Sequence, residues 1–191
     1  MKDTIFLIGF MGAGKSTIAK CLKRIYEREI VEMDQMIEEQ EQMSIPKIFE
    51  EKGEEYFRGL ETSLLMELKG KQNLVVSCGG GTPLRTCNVE IMHKSGRVIF
   101  LTASPETVYE RVKNSHNRPL LEKNKNVSFI ETLMKERKER YEAAADYLVS
   151  TDGRSAEEIS REIMEKMEMS RPQEQRFKQY GNQDMLLTEF E

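Results

Sequence analysis

Apolar and polar residues follow one another along this chain with two different periods. Short continuous apolar runs occur at Thr4–Gly9, Glu29–Met33, Asn73–Ser77, Arg97–Leu101 and Tyr147–Ser150. They read as buried strands of a parallel sheet. Between them, apolar residues recur three and four apart, as in Ile18, Cys21, Leu22 and Ile25, or Ile130, Leu133, Met134 and Tyr141. These stretches read as amphipathic helices. Several helix starts are signalled locally. Ser104-Pro105 places a capping residue before a first-turn proline. Ser128 with Glu131, and Ser155 with Glu158, fit the capping box. Ser44 followed by Pro46 suggests a start near Ile45. Strands alternating with helices predict an α/β domain. The segment Asn114–Asn126 is polar, contains a proline and lacks a period, so it reads as a loop between two helices. From Arg171 onward the chain turns polar with no sustained period. One domain is therefore expected over 1–170, with a lid at about 113–126, and a tail over 171–191 outside the core.

The join between the first strand and first helix carries the sharpest chemical signal. Gly9-Phe10-Met11-Gly12-Ala13-Gly14-Lys15-Ser16 fits the phosphate-binding pattern G-x-x-x-x-G-K-[ST] at every fixed position. Glycines bring backbone N–H groups close to phosphate oxygens. Lys15 carries positive charge to the outer phosphates, and the Ser16 hydroxyl can ligate the accompanying magnesium. The following helix N-terminus adds its dipole.

In open parallel sheets, ligands gather beyond the carboxyl ends of the strands. The second strand ends in Glu32-Met33-Asp34, whose carboxylates at alternating positions can share one side of an extended segment. One would help hold magnesium and the other would accept a substrate hydroxyl. The plainer reading is that Asp34 caps the next helix. The third strand ends in Ser77-Cys78-Gly79-Gly80-Gly81-Thr82-Pro83, either a close-approach loop for a ligand or an ordinary turn. Arg137 lies on the apolar stripe of its helix, so its guanidinium needs an anionic partner. Arg58 borders Phe57, Leu60 and Leu64, with Glu61 a ready helical partner. The two arginines are candidates to clamp a carboxylate; a structural ion pair is the alternative. Arg118, in Arg118-Pro119-Leu120-Leu121, suits a lid that closes over phosphates. Arg111 and Arg154 can flank an adenine, or lie on the surface.

Composition narrows the partners. The 191 residues carry a formal net charge of −4, which gives no general attraction for nucleic acid. No apolar run is long enough to span a membrane, and no signal peptide is expected. Cys21, Cys78 and Cys87 show no metal-ligand spacing and read as reduced thiols of a cytoplasmic protein. Only His93 and His116 are present, which argues against a histidine-based zinc site.

Taken in order, these segments resemble shikimate kinases. The carriers are Gly9 to Thr17, the Asp34 segment, Phe57-Arg58 with Glu61, Gly79-Gly80-Gly81-Thr82, Arg118-Pro119-Leu120-Leu121, and Arg137 with Tyr141. The likeness runs to about residue 168. It implies a P-loop three-layer α/β/α fold with a five-stranded parallel sheet, in the style of nucleoside-monophosphate kinases. It implies transfer of the ATP γ-phosphate to the 3-hydroxyl of shikimate, a step toward chorismate and the aromatic amino acids. A monomer is expected. On matching positions, Gly12, Ala13, Gly14, Lys15, Ser16 and Thr17 would hold ATP, with Arg111, Arg118 and Arg154. Asp34, Arg58, Gly79, Gly80, Gly81 and Arg137 would contact shikimate. Lys15, Asp34 and Arg118 would be catalytic. Ser16 and Glu32 would serve magnesium. The family usually has aspartate where Glu32 stands, so the reach of that carboxylate differs. A related kinase acting on gluconate or a nucleoside monophosphate, and a nucleotide-binding module without transfer activity, are the competing expectations.

Overall fold

The computed structural model describes residues 3–113 and 126–169. Arg118, most of the expected lid and the tail 171–191 lie outside the described residues.

Strand β1 (Thr4–Ile8) leads through the glycine loop into α1 (Lys15–Tyr26). Then come β2 (Glu29–Glu32), α2 (Met33–Glu41) and α3 (Ile45–Leu68). The chain continues through β3 (Leu74–Ser77), a 3₁₀ turn (Thr82–Leu84), α4 (Thr86–Ser95) and β4 (Gly96–Thr102). It closes with α5 (Pro105–Val112), α6 (Val127–Ala144), β5 (Tyr147–Ser150) and α7 (Ala156–Glu168). The five strands form one parallel sheet in the order β2-β3-β1-β4-β5.

Each face of the sheet is covered, as its near-continuous apolar strands require. Ile5, Leu7, Val75, Ile99 and Leu101 pack against α1 and α7. Phe6, Ile8, Val76, Val98 and Phe100 face the other layer, which contains α2 to α6. The expected three-layer α/β/α fold with five parallel strands is therefore observed. Among the described residues no helix is long and apolar enough to cross a membrane.

Local signals succeed unevenly. Ser104 caps α5 by accepting from Thr107 N at 3.2 Å, and Ser155 with Glu158 forms a complete capping box on α7. Ser128 is not a cap. It lies inside α6, whose N-cap is Asn126, with Oδ1 accepting from Phe129 N at 2.8 Å. Ser44 occupies the N-cap of α3 without a side-chain bond; Glu38 Oε1 accepts from Ile45 N instead, at 2.8 Å. Helix α3 is broken at Gly53 (φ 83°, ψ 166°), a conformation essentially confined to glycine.

Candidate active site

The glycine loop leaves the end of β1 at the centre of the sheet. Gly12 has φ 79°, and a side chain there would meet Val112 Cγ1 at 2.8 Å, so only glycine lets the loop pass α5. Gly14 forms the N-cap of α1, with no side chain bonded to the helix end and no acidic residue in the first turn. That leaves the positive end of the helix to an external anion. Lys15 Nζ donates to Gly9 O at 2.8 Å and Phe10 O at 3.2 Å, arching over its own loop. A cleft of about 730 Å³ opens here, bordered by Lys15, Ser16, Glu32, Asp34, Arg111 and Arg154.

Glu32 and Asp34 do not alternate along a strand. Strand β2 ends at Glu32 and α2 begins at Met33 with no intervening loop, which places Asp34 in the first helical turn. Asp34 does not occupy the N-cap either. Both residues nevertheless border the cleft. Ser16 Oγ donates to Glu32 Oε2 at 3.0 Å, and Glu32 Oε1 is buried with no hydrogen-bond partner among the described residues.

Arg111 and Arg154 stand at the end of β5. Arg111 donates to Thr151 Oγ1 at 3.0 Å, Thr151 O at 3.1 Å and Gly12 O at 3.1 Å. Arg154 donates to Ser150 O at 3.1 Å and Glu162 Oε2 at 2.6 Å. Thr151 went unread in the sequence, although the strand-end rule applied to β5 would have marked it.

The second half of the site surrounds Gly79–Gly81. A side chain at Gly79 would lie 2.6 Å from Glu61 Oε1 and 2.7 Å from Asp34 Oδ1. One at Gly80 would lie 3.7 Å from Arg137 Nη1 and 3.8 Å from the Tyr141 hydroxyl. One at Gly81 would run into the Arg58 guanidinium. The turn is thus a thin spacer that Asp34, Arg58 and Arg137 all approach. Tyr141 Oη donates to Gly80 O at 2.7 Å, and burial raises its pKa above the usual phenol value. The Arg137 guanidinium also lies 5.9 Å from the Phe10 ring centroid, near the phosphate loop.

Arg58 donates from Nη1 to Glu61 Oε2 at 2.7 Å, and from Nη2 to Glu54 Oε1 at 2.9 Å. Burial works against its charge, but the two carboxylates outweigh that and raise its pKa. Glu61 is fully buried. Burial pushes its carboxyl above the usual range, opposed by Thr82 and then Arg58. Its burial was legible in principle, because Phe57, Glu61, Leu64 and Leu68 fall on one helical stripe. Cys78 at the cleft floor is also buried, and burial raises its pKa far above the usual thiol value. A buried thiol of this kind packs as a small apolar group.

Comparison with known proteins identifies the family. The family model described as "Shikimate kinase" matches residues 11–168. A shikimate kinase of Persephonella marina is 45% identical over 160 residues, covering 84% of this chain and 96% of that protein. A solved structure of shikimate kinase from Acinetobacter baumannii in complex with shikimate superposes with a TM-score of 0.80. It has 33% identity and covers 86% of this chain and 92% of that one. Shikimate kinase from Aquifex aeolicus superposes with a TM-score of 0.72 at 38% identity, over 84% of this chain and 94% of that one. The chain belongs to the shikimate kinase family.

Proposed function

We propose that this protein transfers the γ-phosphate of ATP to the 3-hydroxyl of shikimate, releasing ADP and shikimate 3-phosphate on the route to chorismate and the aromatic amino acids. The observation that carries the reading is the convergence of Asp34, Arg58 and Arg137 on the Gly79–Gly81 turn beside a phosphate loop. Two guanidiniums suit a carboxylate, and a carboxylate suits a hydroxyl. Shikimate carries both groups on one small ring.

Phosphoryl transfer has a loose transition state, so positioning and charge stabilisation dominate. Asp34 accepts a hydrogen bond from the reacting hydroxyl and aims it along the line of transfer. Arg58 and Arg137 hold the carboxylate, with the Gly79–Gly81 backbone against the ring. Lys15 exchanges its loop carbonyls for the β- and γ-phosphate oxygens, while the Gly12–Thr17 amides receive the phosphates. Arg111 and Arg154, oriented by the end of β5, flank the adenine. Arg118, outside the described residues, is assigned to the transferred phosphate by matching position.

The residues fit magnesium. Ser16 Oγ and Glu32 Oε2 meet at 3.0 Å at the cleft, and both are oxygen donors of the kind magnesium takes. The second oxygen of Glu32 is buried without a partner among the described residues. Among those residues no three His, Cys, Asp or Glu side chains form a metal cage, so the remaining ligands would be phosphate oxygens and water. Bound there, magnesium would neutralise charge on the phosphates. A cytoplasmic monomer is the proposed setting, with Cys21, Cys78 and Cys87 as free thiols.

ADP release measured in parallel with shikimate, gluconate and nucleoside monophosphates tests the reading. Turnover with shikimate alone is expected. Turnover with another acceptor instead, or with none, overturns it.

A further inference from the structure

Three fully buried polar residues, Glu61, Thr82 and Asn88, stand behind the glycine turn. Glu61 accepts from Arg58 at Oε2, at 2.7 Å, and from the Thr82 hydroxyl at Oε1, at 2.5 Å. Asn88 Nδ2 donates to Thr82 O at 3.0 Å. Asn88 Oδ1 faces the Thr62 hydroxyl at 2.8 Å, and that hydroxyl is also 3.0 Å from Arg58 O. Its single proton serves one of these acceptors at a time. The contacts close a ring that starts at the Arg58 guanidinium, crosses Glu61, Thr82, Asn88 and Thr62, and returns to the Arg58 carbonyl. The Asn88 amide orientation follows from the network, because the flipped form would set two acceptors face to face.

Packing alone does not call for such a ring. Apolar side chains of similar volume fill a core at least as well as buried charged and polar groups. A fully satisfied polar network instead fixes one geometry. The geometry fixed here is specific. The Arg58 guanidinium lies directly over Gly81, while Thr82 continues the turn, with Thr82 N donating to Gly79 O at 3.2 Å.

We infer that Thr82, with Asn88 and Thr62 behind it, forms a set of positioning residues for the acceptor substrate. Acting through Glu61, they hold Arg58 in register with the Gly79–Gly81 turn, so that guanidinium and turn meet the substrate carboxylate and ring together. The inference rests on the assignment of that turn and Arg58 to shikimate.

The test is steady-state kinetics of the full chain carrying Thr82→Val, Thr82→Ser or Thr62→Val. Thr82→Val removes a hydrogen bond to a charged group and raises the KM for shikimate about tenfold. Its kcat and KM for ATP stay within about twofold, and Thr82→Ser restores the KM because it keeps the hydroxyl. Thr62→Val, at a half-buried position, raises the same KM by about two- to threefold, the scale of one neutral hydrogen bond. In an Arg58→Lys background, Thr82→Val adds less than about twofold, because the two residues act as one unit. A loss shared by both substrates, an ineffective Thr82→Ser, or a full further increase in the Arg58→Lys background overturns the inference. If Thr82→Val does not fold, an unchanged KM in Thr62→Val overturns it. Absence of shikimate turnover by the unaltered protein defeats the underlying function instead.

Discussion

At the scale of single residues, the site depends on side chains that are missing as much as on those present. Gly81 has no Cβ because the Arg58 guanidinium occupies its space. Gly81→Ala must displace that arginine, and it is expected to raise the KM for shikimate about tenfold, the scale of one charged hydrogen bond. An unchanged KM would show that Arg58 does not serve the substrate from this position. Glu32 is a second such point. Its paired oxygens, one bonded to Ser16 and one without a partner among the described residues, are what the proposed magnesium role rests on. Glu32→Gln keeps the shape and removes the charge. It should raise the magnesium concentration for half-maximal turnover about tenfold, a scale seen when groups around a metal are altered. Equal magnesium dependence in the two proteins would remove Glu32 from the metal site. The sequence singled out Lys15 and Ser16 by their motif, Asp34 by its place at a strand end and Arg137 by lying on an apolar stripe. The Arg58–Glu61–Thr82 network was only half legible. The Arg58–Glu61 spacing shows a helical pair, but Thr82 lies 21 residues beyond Glu61, and only the fold brings it to the second oxygen.

At the scale of elements, strand interiors were legible, and so were both ends of β5, but other strand ends were not. Continuous apolar runs mark burial on both faces, whereas a boundary depends on one backbone angle. Asn73, expected to begin the third strand, has φ 62°, which excludes it from β3. Met33, expected to end the second strand, begins α2. That direct join carries Asp34 round into the cleft by a helical turn. Caps follow the same logic. Ser128 and Asn126 both have capping side chains, and the chain folds with Asn126 as the cap. The Ser155–Glu158 box gives a measurable case. Ser155→Ala should cost about 1 kcal/mol, lowering Tm by roughly 2–4 °C for a chain of this size. Hydrogen bonds from the Ser155 backbone and hydroxyl hold the Glu158 carboxyl below the usual glutamate range. Its contribution is therefore present above the ordinary glutamate pKa, and it fades as pH falls through the depressed folded value. The stability gap between the two proteins should narrow in acid. A gap independent of pH would mean that the Ser155 hydroxyl does nothing to hold the Glu158 carboxylate.

At the scale of the whole molecule, the strand count and the alternation with helices were legible, but the lateral order was not. Nothing in the runs themselves says that the first strand sits third across the sheet. That order follows from how the helical connections pack on the two faces. Its effect is to set β1 between β3 and β4, with every residue from Thr4 to Ile8 buried. Backbone amide protons of such a strand meet solvent when the molecule opens as a whole, while edge strands exchange through smaller fluctuations. The Phe6 and Leu7 amides are expected to be among the slowest to exchange with deuterium, and slower than those of β5. Saturation with ADP at about 100 times its Kd should slow them by roughly a hundredfold more, the exchange equivalent of about 2.7 kcal/mol. Exchange of β1 as fast as that of β5 would contradict this. The loop proposed to admit and release a nucleotide in every cycle thus hangs from the strand expected to open last. Turnover at Gly9–Ser16 can then proceed many times between two excursions of its supporting strand into water.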